Sequence, residues 1–257
     1  MRTPDLFDLS GRVAIVTGGG RGIGRQMATA LAEMGADVVV CSRKLDNCEE
    51  AAAAIAGLGV RSLGVACDAR DPEAVDAVVR RTTQELGRLD VLVNNAGATW
   101  GAPPEEVPPE AWQKVIDVNL TGVFTFCRTA GRVMIDGGGG RIVNVASIAG
   151  FRGFPAEIVD ALPYSASKGG VIALTRDLAC KWARHGITVN ALAPGWFPTD
   201  MSSHVLGDRE AAIVDRIPLR RLGGPDDLKG AVAFLASRAS DFVTGQTLVV
   251  DGGESAW

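Results

Sequence analysis

Short runs rich in Val, Ile and Leu recur along this 257-residue chain, and longer amphipathic stretches separate them. The strand candidates are Val13–Thr17, Asp37–Cys41, Ser62–Ala66, Val91–Asn94, Ile142–Ala146, Thr188–Leu192 and Thr247–Val250. Several are almost continuously apolar, as strands covered on both faces must be. The helix candidates are Gly22–Met34, Leu45–Ala56, Pro72–Leu86, Pro109–Met134, Pro163–Ala183 and Pro225–Leu235. Asp71-Pro72 and Gly224-Pro225 read as helix starts with proline at the first helical position, and Gly137–Gly140 reads as a flexible turn. Strand–helix alternation from end to end predicts an α/β fold: a doubly wound, parallel, seven-stranded sheet with helices on both faces. No repeat, linker or break in composition divides the chain, so residues 1–257 are expected to form a single domain.

Composition removes several classes of function. A hydrophobic fraction of 47% and a charged fraction of 22% suit a globular core. The net charge of -4 argues against a nucleic-acid surface. No apolar stretch is long enough to span a bilayer, so no membrane partner is expected. The start, Met1-Arg-Thr-Pro-Asp-Leu-Phe-Asp-Leu, carries acids where a secretion signal needs an apolar run, which points to the cytoplasm. The five cysteines are scattered with no C-x-x-C pair and read as reduced, buried thiols. Two histidines, His185 and His204, sit in no constellation with them, and no metal site is expected.

The first strand candidate runs into Gly18-Gly-Gly-Arg-Gly-Ile-Gly24 and then a helix. Glycines in that context permit a tight turn and a close backbone approach to a pyrophosphate lodged at the helix N-terminus. A second feature lies on the helix candidate after the fifth strand. Tyr164 is the only tyrosine in the chain, and Lys168 follows it by four residues, on the same helical face. A free phenol has a pKa of about 10, and an ammonium about 4 Å away at an effective dielectric of about 20 stabilises the phenolate by roughly 4 kcal/mol. Tyr164 is therefore expected to be acidified into the working range of a general acid/base. Alone, such a pair is most often a half-buried tyrosine beside a solvated lysine.

The motifs occur together and in order. Thr17-Gly-Gly-Gly-Arg-Gly-Ile-Gly24, Asn94-Asn-Ala-Gly97, Asn119 in Val118-Asn-Leu-Thr-Gly122, Ser147, Tyr164 with Lys168, Pro194-Gly195 and Asp251-Gly-Gly253 span essentially the whole chain. In these the chain resembles the short-chain dehydrogenase/reductase family, classical type. The resemblance implies a Rossmann-type fold and hydride transfer between a nicotinamide and a carbonyl or alcohol carbon. It implies that Tyr164 exchanges the proton, that Ser147 holds the substrate oxygen, and that Lys168 lowers the Tyr164 pKa and holds the nicotinamide ribose. Asn119 would support a proton-relaying water. It further implies cofactor contacts from Gly18, Arg21, Gly22, Ile23, Gly24, Ser42, Arg43, Asp68, Asn95, Ala96, Gly97, Pro194, Gly195, Phe197 and Thr199, with Thr199 on the carboxamide and Asp68 on the adenine.

The second strand ends in Val40-Cys-Ser-Arg-Lys44, without the acid that would accept from a ribose 2′-hydroxyl. Arg43 can grip a phosphate, Ser42 can donate to it, and Arg21 lies in the loop on the same side, so NADP(H) is expected rather than NAD(H). The segment from Ser147 to Tyr164 is longer than the family's usual spacing and is expected to bulge at the pocket edge. Trp100, Phe151, Phe154, Trp196 and Phe197, with the loop from Met201 to Leu219, are the candidate pocket walls. Arg152 could steer an anionic substrate or simply be exposed. The stretches around Asn94 and Pro194 resemble both 3-oxoacyl-carrier-protein reductases and gluconate 5-dehydrogenases. A small carbonyl or alcohol is the expected substrate: a 3-oxoacyl or related ketone first, a sugar acid or polyol as the alternative. A nonenzymatic NADP(H)-binding regulator is a third reading. The family assembles through its long helices, so a homotetramer or homodimer is expected.

Overall fold

The computed structural model describes residues 1–257, apart from the side chain of Asp208. Seven strands form one sheet: β1 (Val13–Thr17), β2 (Asp37–Ser42), β3 (Ser62–Ala66), β4 (Val91–Asn94), β5 (Gly140–Val145), β6 (Ile187–Pro194) and β7 (Thr247–Val250). Their order is β3-β2-β1-β4-β5-β6-β7, and every neighbouring pair is parallel. The chain winds outward from β1 to β3, then returns to lay β4 on the other side of β1. That reversal opens a crevice at the carboxyl ends of the strands.

Alternate residues of each strand feed two cores, because successive side chains point to opposite faces. Val13 and Ile15 pack with α3 (Pro72–Leu86), α5 (Gly122–Asp136) and α6 (Leu162–Trp182) through Val75, Phe126 and Val171. Ala14 and Val16 pack with α1 (Gly22–Glu33), α2 (Leu45–Ala56) and α9 (Lys229–Ala236) through Met27, Ile55 and Val232. A sheet covered on both faces explains the apolar runs in the sequence.

Three helix expectations need correction. The stretch 109–134 is not one regular helix. α4 (Pro109–Ile116) passes into a π turn, Asp117–Thr121, before α5 begins. The helix expected from Pro225 starts at Lys229, because Asp227 accepts the Gly224 N–H at 2.7 Å and pairs with Arg221, which closes a turn instead. Two short helices, α7 (Ser203–Leu206) and α8 (Glu210–Arg216), occupy what reads in the sequence as a loop.

Beneath the crevice a polar chain crosses the first core. Asn94 on β4 donates to Asn144 on β5 at 2.9 Å and to the Cys127 sulfur on α5 at 3.2 Å. Asn144 donates to Thr175 on α6 at 3.0 Å, and Thr175 donates to the Val171 carbonyl at 2.8 Å. Both asparagines and Thr175 are buried. Asn144→Leu should lower the unfolding free energy by about 2–4 kcal/mol, since each orphaned partner costs about 1–3 kcal/mol. A change below about 0.5 kcal/mol in urea denaturation, within the ordinary range of an inconsequential substitution, would show that the chain of bonds is not what ties these elements together.

Candidate active site

The crevice is a cleft of about 750 Å³. At one end β1 runs into the glycine loop. Gly18 and Gly22 have φ of +66° and +54°, a region that side chains with a Cβ adopt rarely. A Cβ at Gly24 would lie 2.3 Å from both the Asn95 amide nitrogen and the Gly18 carbonyl, so the helix start and the loop touch backbone to backbone. Thr17 braces this loop from below. Its hydroxyl accepts from the Asn95 and Ala96 N–H groups, each at 2.9 Å, while the Asn95 amide donates to the Thr17 carbonyl at 2.9 Å and to the Gly18 carbonyl at 3.3 Å. Gly18, Gly22, Ile23, Gly24, Asn95, Ala96 and Gly97 all line the cleft. Thr17 is a site residue that sequence reading passed over; its place at the strand end, directly before the glycines, was the signal.

The middle of the cleft is edged by the end of β2. Ser42, Arg43, Lys44 and Asn47 line it. The Ser42 hydroxyl donates to the Lys44 carbonyl at 3.3 Å and meets the Cys48 sulfur at 3.0 Å. Asp68 is held by Arg70, whose guanidinium lies 2.6 Å from its carboxylate; that hydrogen bond holds the Asp68 carboxyl below its ordinary range. Arg70 was not singled out from sequence. Arg21, expected beside Ser42 and Arg43, lines the same cleft and is ion-paired with Asp200, one residue past Thr199. It joins the glycine loop to the loop after β6. Pro194, Gly195 and Thr199 line that side of the cleft, with Thr199 fixed by its N–H donating to the Ser202 hydroxyl at 2.9 Å.

At the chemical end Ser147, Tyr164 and Lys168 converge. Ser147 follows β5 and its hydroxyl accepts the Ala149 N–H at 3.2 Å. Tyr164 and Lys168 sit on the first turns of α6, with the ammonium 5.5 Å from the ring centre. Lys168 is buried and donates to the Val145 carbonyl at 2.7 Å. Burial pulls its pKa down to about 8. The expected acidification of Tyr164 does not arise from the protein alone. Burial pushes the phenol up, and a hydrogen bond with Ser147 only partly opposes it. The lysine spends its hydrogen bond on the strand, so desolvation wins. Asn119 is fully buried in the π turn. Its side chain is consumed: the oxygen accepts the Ala98 N–H at 2.8 Å, and the nitrogen donates to the Ala98 carbonyl at 2.9 Å and to Ser167 at 3.0 Å.

The long segment before Tyr164 is pinned rather than loose. Ile158 is buried with Leu206, Ile213 and Ile217 in a third apolar cluster, and Arg209 donates to its carbonyl at 3.1 Å. Ser147 thereby keeps its place beside the phenol. Phe154 and Trp196 form a wall, edge to face with ring centres 6.0 Å apart, and Val159, Met201 and Val205 extend it. The other aromatic candidates fall elsewhere. Trp100 does not line the cleft, and Phe151 is 47% exposed to solvent. The Phe197 ring is buried in the second core against Gly223, so only its backbone side is available to a ligand. Arg152 is neither a free steering charge nor exposed; it donates to the Glu254 carbonyl at 2.6 Å and stacks 5.3 Å from the Phe154 ring centre.

These residues fit a dinucleotide. The backbone cradle suits a pyrophosphate, and the cations at the end of β2 face a cleft that extends to Tyr164. Among the described residues no helix is long and apolar enough to cross a membrane. The family model described as Enoyl-(Acyl carrier protein) reductase matches residues 18–255. The chain is 40% identical over 255 residues to a gluconate 5-dehydrogenase of Gluconobacter oxydans, covering 98% of each. It is also 40% identical over 247 residues to a 3-oxoacyl-[acyl-carrier-protein] reductase of Synechocystis sp., covering 95% of this chain and 97% of that one. A solved gluconate 5-dehydrogenase from Burkholderia cenocepacia, in complex with NADP and tartrate, superposes with a TM-score of 0.94 at 38% identity over 100% of both chains. With matches of this extent on either side of it, the chain belongs to the short-chain dehydrogenase/reductase family, NAD(P)-dependent oxidoreductases acting on CH–OH groups.

Proposed function

We propose that this single-domain enzyme is an NADP(H)-dependent reductase of an apolar ketone of the 3-oxoacyl class, with Tyr164, Ser147, Lys168 and Asn119 as its catalytic set. The observation that carries the substrate reading is the make-up of the substrate end. Its walls are Ala149, Phe154, Val159, Trp196 and Val205. The lining cations are Arg21, Arg43, Lys44, Arg70, Lys114 and Lys168, and none belongs to the segments that carry those walls. A sugar acid would bury its carboxylate there without a partner, which is costly. The competing reading is a sugar-acid dehydrogenase, which the gluconate 5-dehydrogenase relatives favour.

When bound, the nicotinamide supplies the hydride. The carbonyl oxygen then gathers negative charge and needs a proton. A phenol whose pKa burial has raised holds its proton at neutral pH, which suits Tyr164 as the donor in reduction. Ser147 steadies the same oxygen, and Lys168 holds the ribose. The Asn119 side chain is fully bonded to Ala98 and Ser167, so it serves the site by bracing the π turn against α6. Arg43 reads the 2′-phosphate: no carboxylate among the described residues pairs with it, unlike Arg21 and Arg70. NADP in the Burkholderia structure agrees with that choice. Trp112 and Phe124, on α4 and α5, are 37% and 43% exposed and support assembly as a homotetramer or homodimer.

NADPH oxidation with a 3-oxoacyl thioester and with 5-ketogluconate, run side by side, tests the substrate class; turnover of the sugar acid alone would overturn it. Tyr164→Phe should reduce turnover at least about a hundredfold, the contribution of a general acid, with NADPH binding intact. Arg43→Asp should move the ratio of kcat/KM for the two cofactors toward NADH, and an unmoved ratio would place recognition of the phosphate elsewhere. The lysine has its own signature. Its pKa falls from 10.5 to about 8 on folding, so below pH 8 both states carry the proton and the full cost of burying the charge is present. Between these values the unfolded chain binds more protons, and stability rises with pH. Melting of the wild type measured against Lys168→Met should show the gap moving in the wild type's favour from pH 8 to pH 10; a pH-independent gap would mean the amine keeps its ordinary pKa in the fold.

A further inference from the structure

Ser167 stands on α6 directly before Lys168 and is fully buried, and the chemistry above does not use it. Its hydroxyl donates to the Tyr164 carbonyl at 2.7 Å and accepts a side-chain N–H of Asn119 at 3.0 Å. Asn119 spends its other side-chain N–H and its oxygen on Ala98, at 2.9 and 2.8 Å. Ala98 closes the stretch Asn95-Ala96-Gly97-Ala98, which lines the cleft and is clasped to Thr17 at its start. One unbroken path of hydrogen bonds thus runs from the cofactor loop, through the π turn, to the backbone of the residue that carries the phenol.

The start of α6 needs such a tie. The helix begins at Leu162 with no side-chain cap among the described residues, so its own N-terminus does not fix its first turn. It packs tightly on the π turn: a Cβ at Gly170 would lie 2.9 Å from the Leu120 side chain. Contact of that kind holds two segments together without fixing their register, because it has no direction. The bonds from Lys168 to Val145 and from Asn144 to Thr175 tie α6 to β5, beneath the cleft. Ser167 ties it to the cofactor loop instead. A hydroxyl is donor and acceptor at once, and this one serves in both roles. Its removal would orphan a buried amide N–H and release the first turn together. The position of the phenol is critical, since a misplacement of about 1 Å can cost about a hundredfold in rate.

We propose that Ser167 is a positioning residue for Tyr164: through Asn119 it passes the place of the cofactor loop to the first turn of α6, so that the phenol and the bound nicotinamide keep one spacing. This rests on the reading of Tyr164 as the proton donor. The test uses the full-length enzyme with NADPH, assayed on a 3-oxobutanoyl thioester and on 5-ketogluconate. For the compound that the wild type reduces, Ser167→Ala should lower kcat at least about tenfold and leave KM for NADPH and for the ketone within about twofold, the pattern of an interaction realised in the transition state. Ser167→Thr keeps a hydroxyl that can bond the preceding turn and should restore kcat to within about threefold of the wild type. In an Asn119→Ala background the path is already cut, and Ser167→Ala should then lower kcat less than about twofold. An unchanged kcat in Ser167→Ala, a Thr variant no faster than the Ala variant, or the full loss in the Asn119→Ala background would overturn the proposal. If Ser167→Ala does not fold, Ser167→Cys takes its place, with a loss of at least about threefold expected from the weaker bonds of a thiol. A second readout needs no turnover. Tyr164 is the only tyrosine, so labelling with 3-fluorotyrosine places a single fluorine nucleus in the protein. Its resonance should move toward the urea-unfolded position in Ser167→Ala and stay at the wild-type position in Ser167→Thr; an unmoved resonance in Ser167→Ala refutes the positioning role. A Tyr164→Phe enzyme as active as the wild type would sink the proton-donor reading instead, and the fluorine resonance then decides the role of Ser167 alone.

Discussion

The site depends on a clasp of hydrogen bonds between the ends of β1 and β4. These two strands lie side by side although β2 and β3 intervene in the sequence. Their loops leave the sheet in opposite directions and would part at the crevice without a tie. Thr17 accepts two N–H groups from the second loop, and the Asn95 amide returns two donations to the first. All of these groups are backbone or short side chains, so the geometry is set with little rotamer freedom to lose. The clasp also forces Gly24 against Gly18, and the tight glycine cradle follows from that contact.

The fold was largely legible because a two-sided parallel sheet needs apolar runs of a particular length, and this chain has them. The pairing of Tyr164 with Lys168 on one helix was legible for another reason. A phenol and an amine four residues apart on a helix share a face whatever else surrounds them. What resisted reading was set by side-chain partners that the apolar pattern does not show. Pro225 looked like a helix start, but Asp227 had an ion pair with Arg221 and the Gly224 N–H to hold instead. Arg21 lines the cleft as expected, but its ion pair with Asp200, 179 residues further on, left no mark in the local pattern. Phe197 looked like a wall because aromatics near a pocket usually are; the missing side chain at Gly223 gives its ring a deeper place to go.

The electrostatics of Tyr164 illustrate how burial and charge compete. Coulomb attraction between a phenolate and an ammonium is large only when both charges exist and face each other. Here the ammonium is directed at the Val145 carbonyl and is itself destabilised by burial. Each group therefore drifts toward its neutral form: phenol up, amine down. A protonated phenol beside a weakly held ammonium is a coherent starting point for donating a proton, not for removing one.

The substrate end follows a different logic from the cofactor end. Glycines and a strand terminus, whose backbone geometry leaves little room for variation, build the cofactor cradle. Side chains from segments outside the sheet build the wall opposite: Phe154 and Val159 from the insertion, Trp196 and Val205 from the stretch after β6, with the C-terminal turn behind them. Such segments tolerate change in length, because none carries a sheet hydrogen bond except at its ends. Their order must come from elsewhere, and here it comes from an apolar cluster around Ile158 and Ile213 and from Arg152, which donates to the Glu254 carbonyl and covers the Phe154 ring. An apolar cluster alone would hold the segments close but leave ring orientation free, since hydrophobic contact has no direction. The Arg152 guanidinium supplies the direction. A wall assembled this way can change its specificity through a few residues while the sheet, the clasp and the Tyr164–Lys168 pair stay as they are.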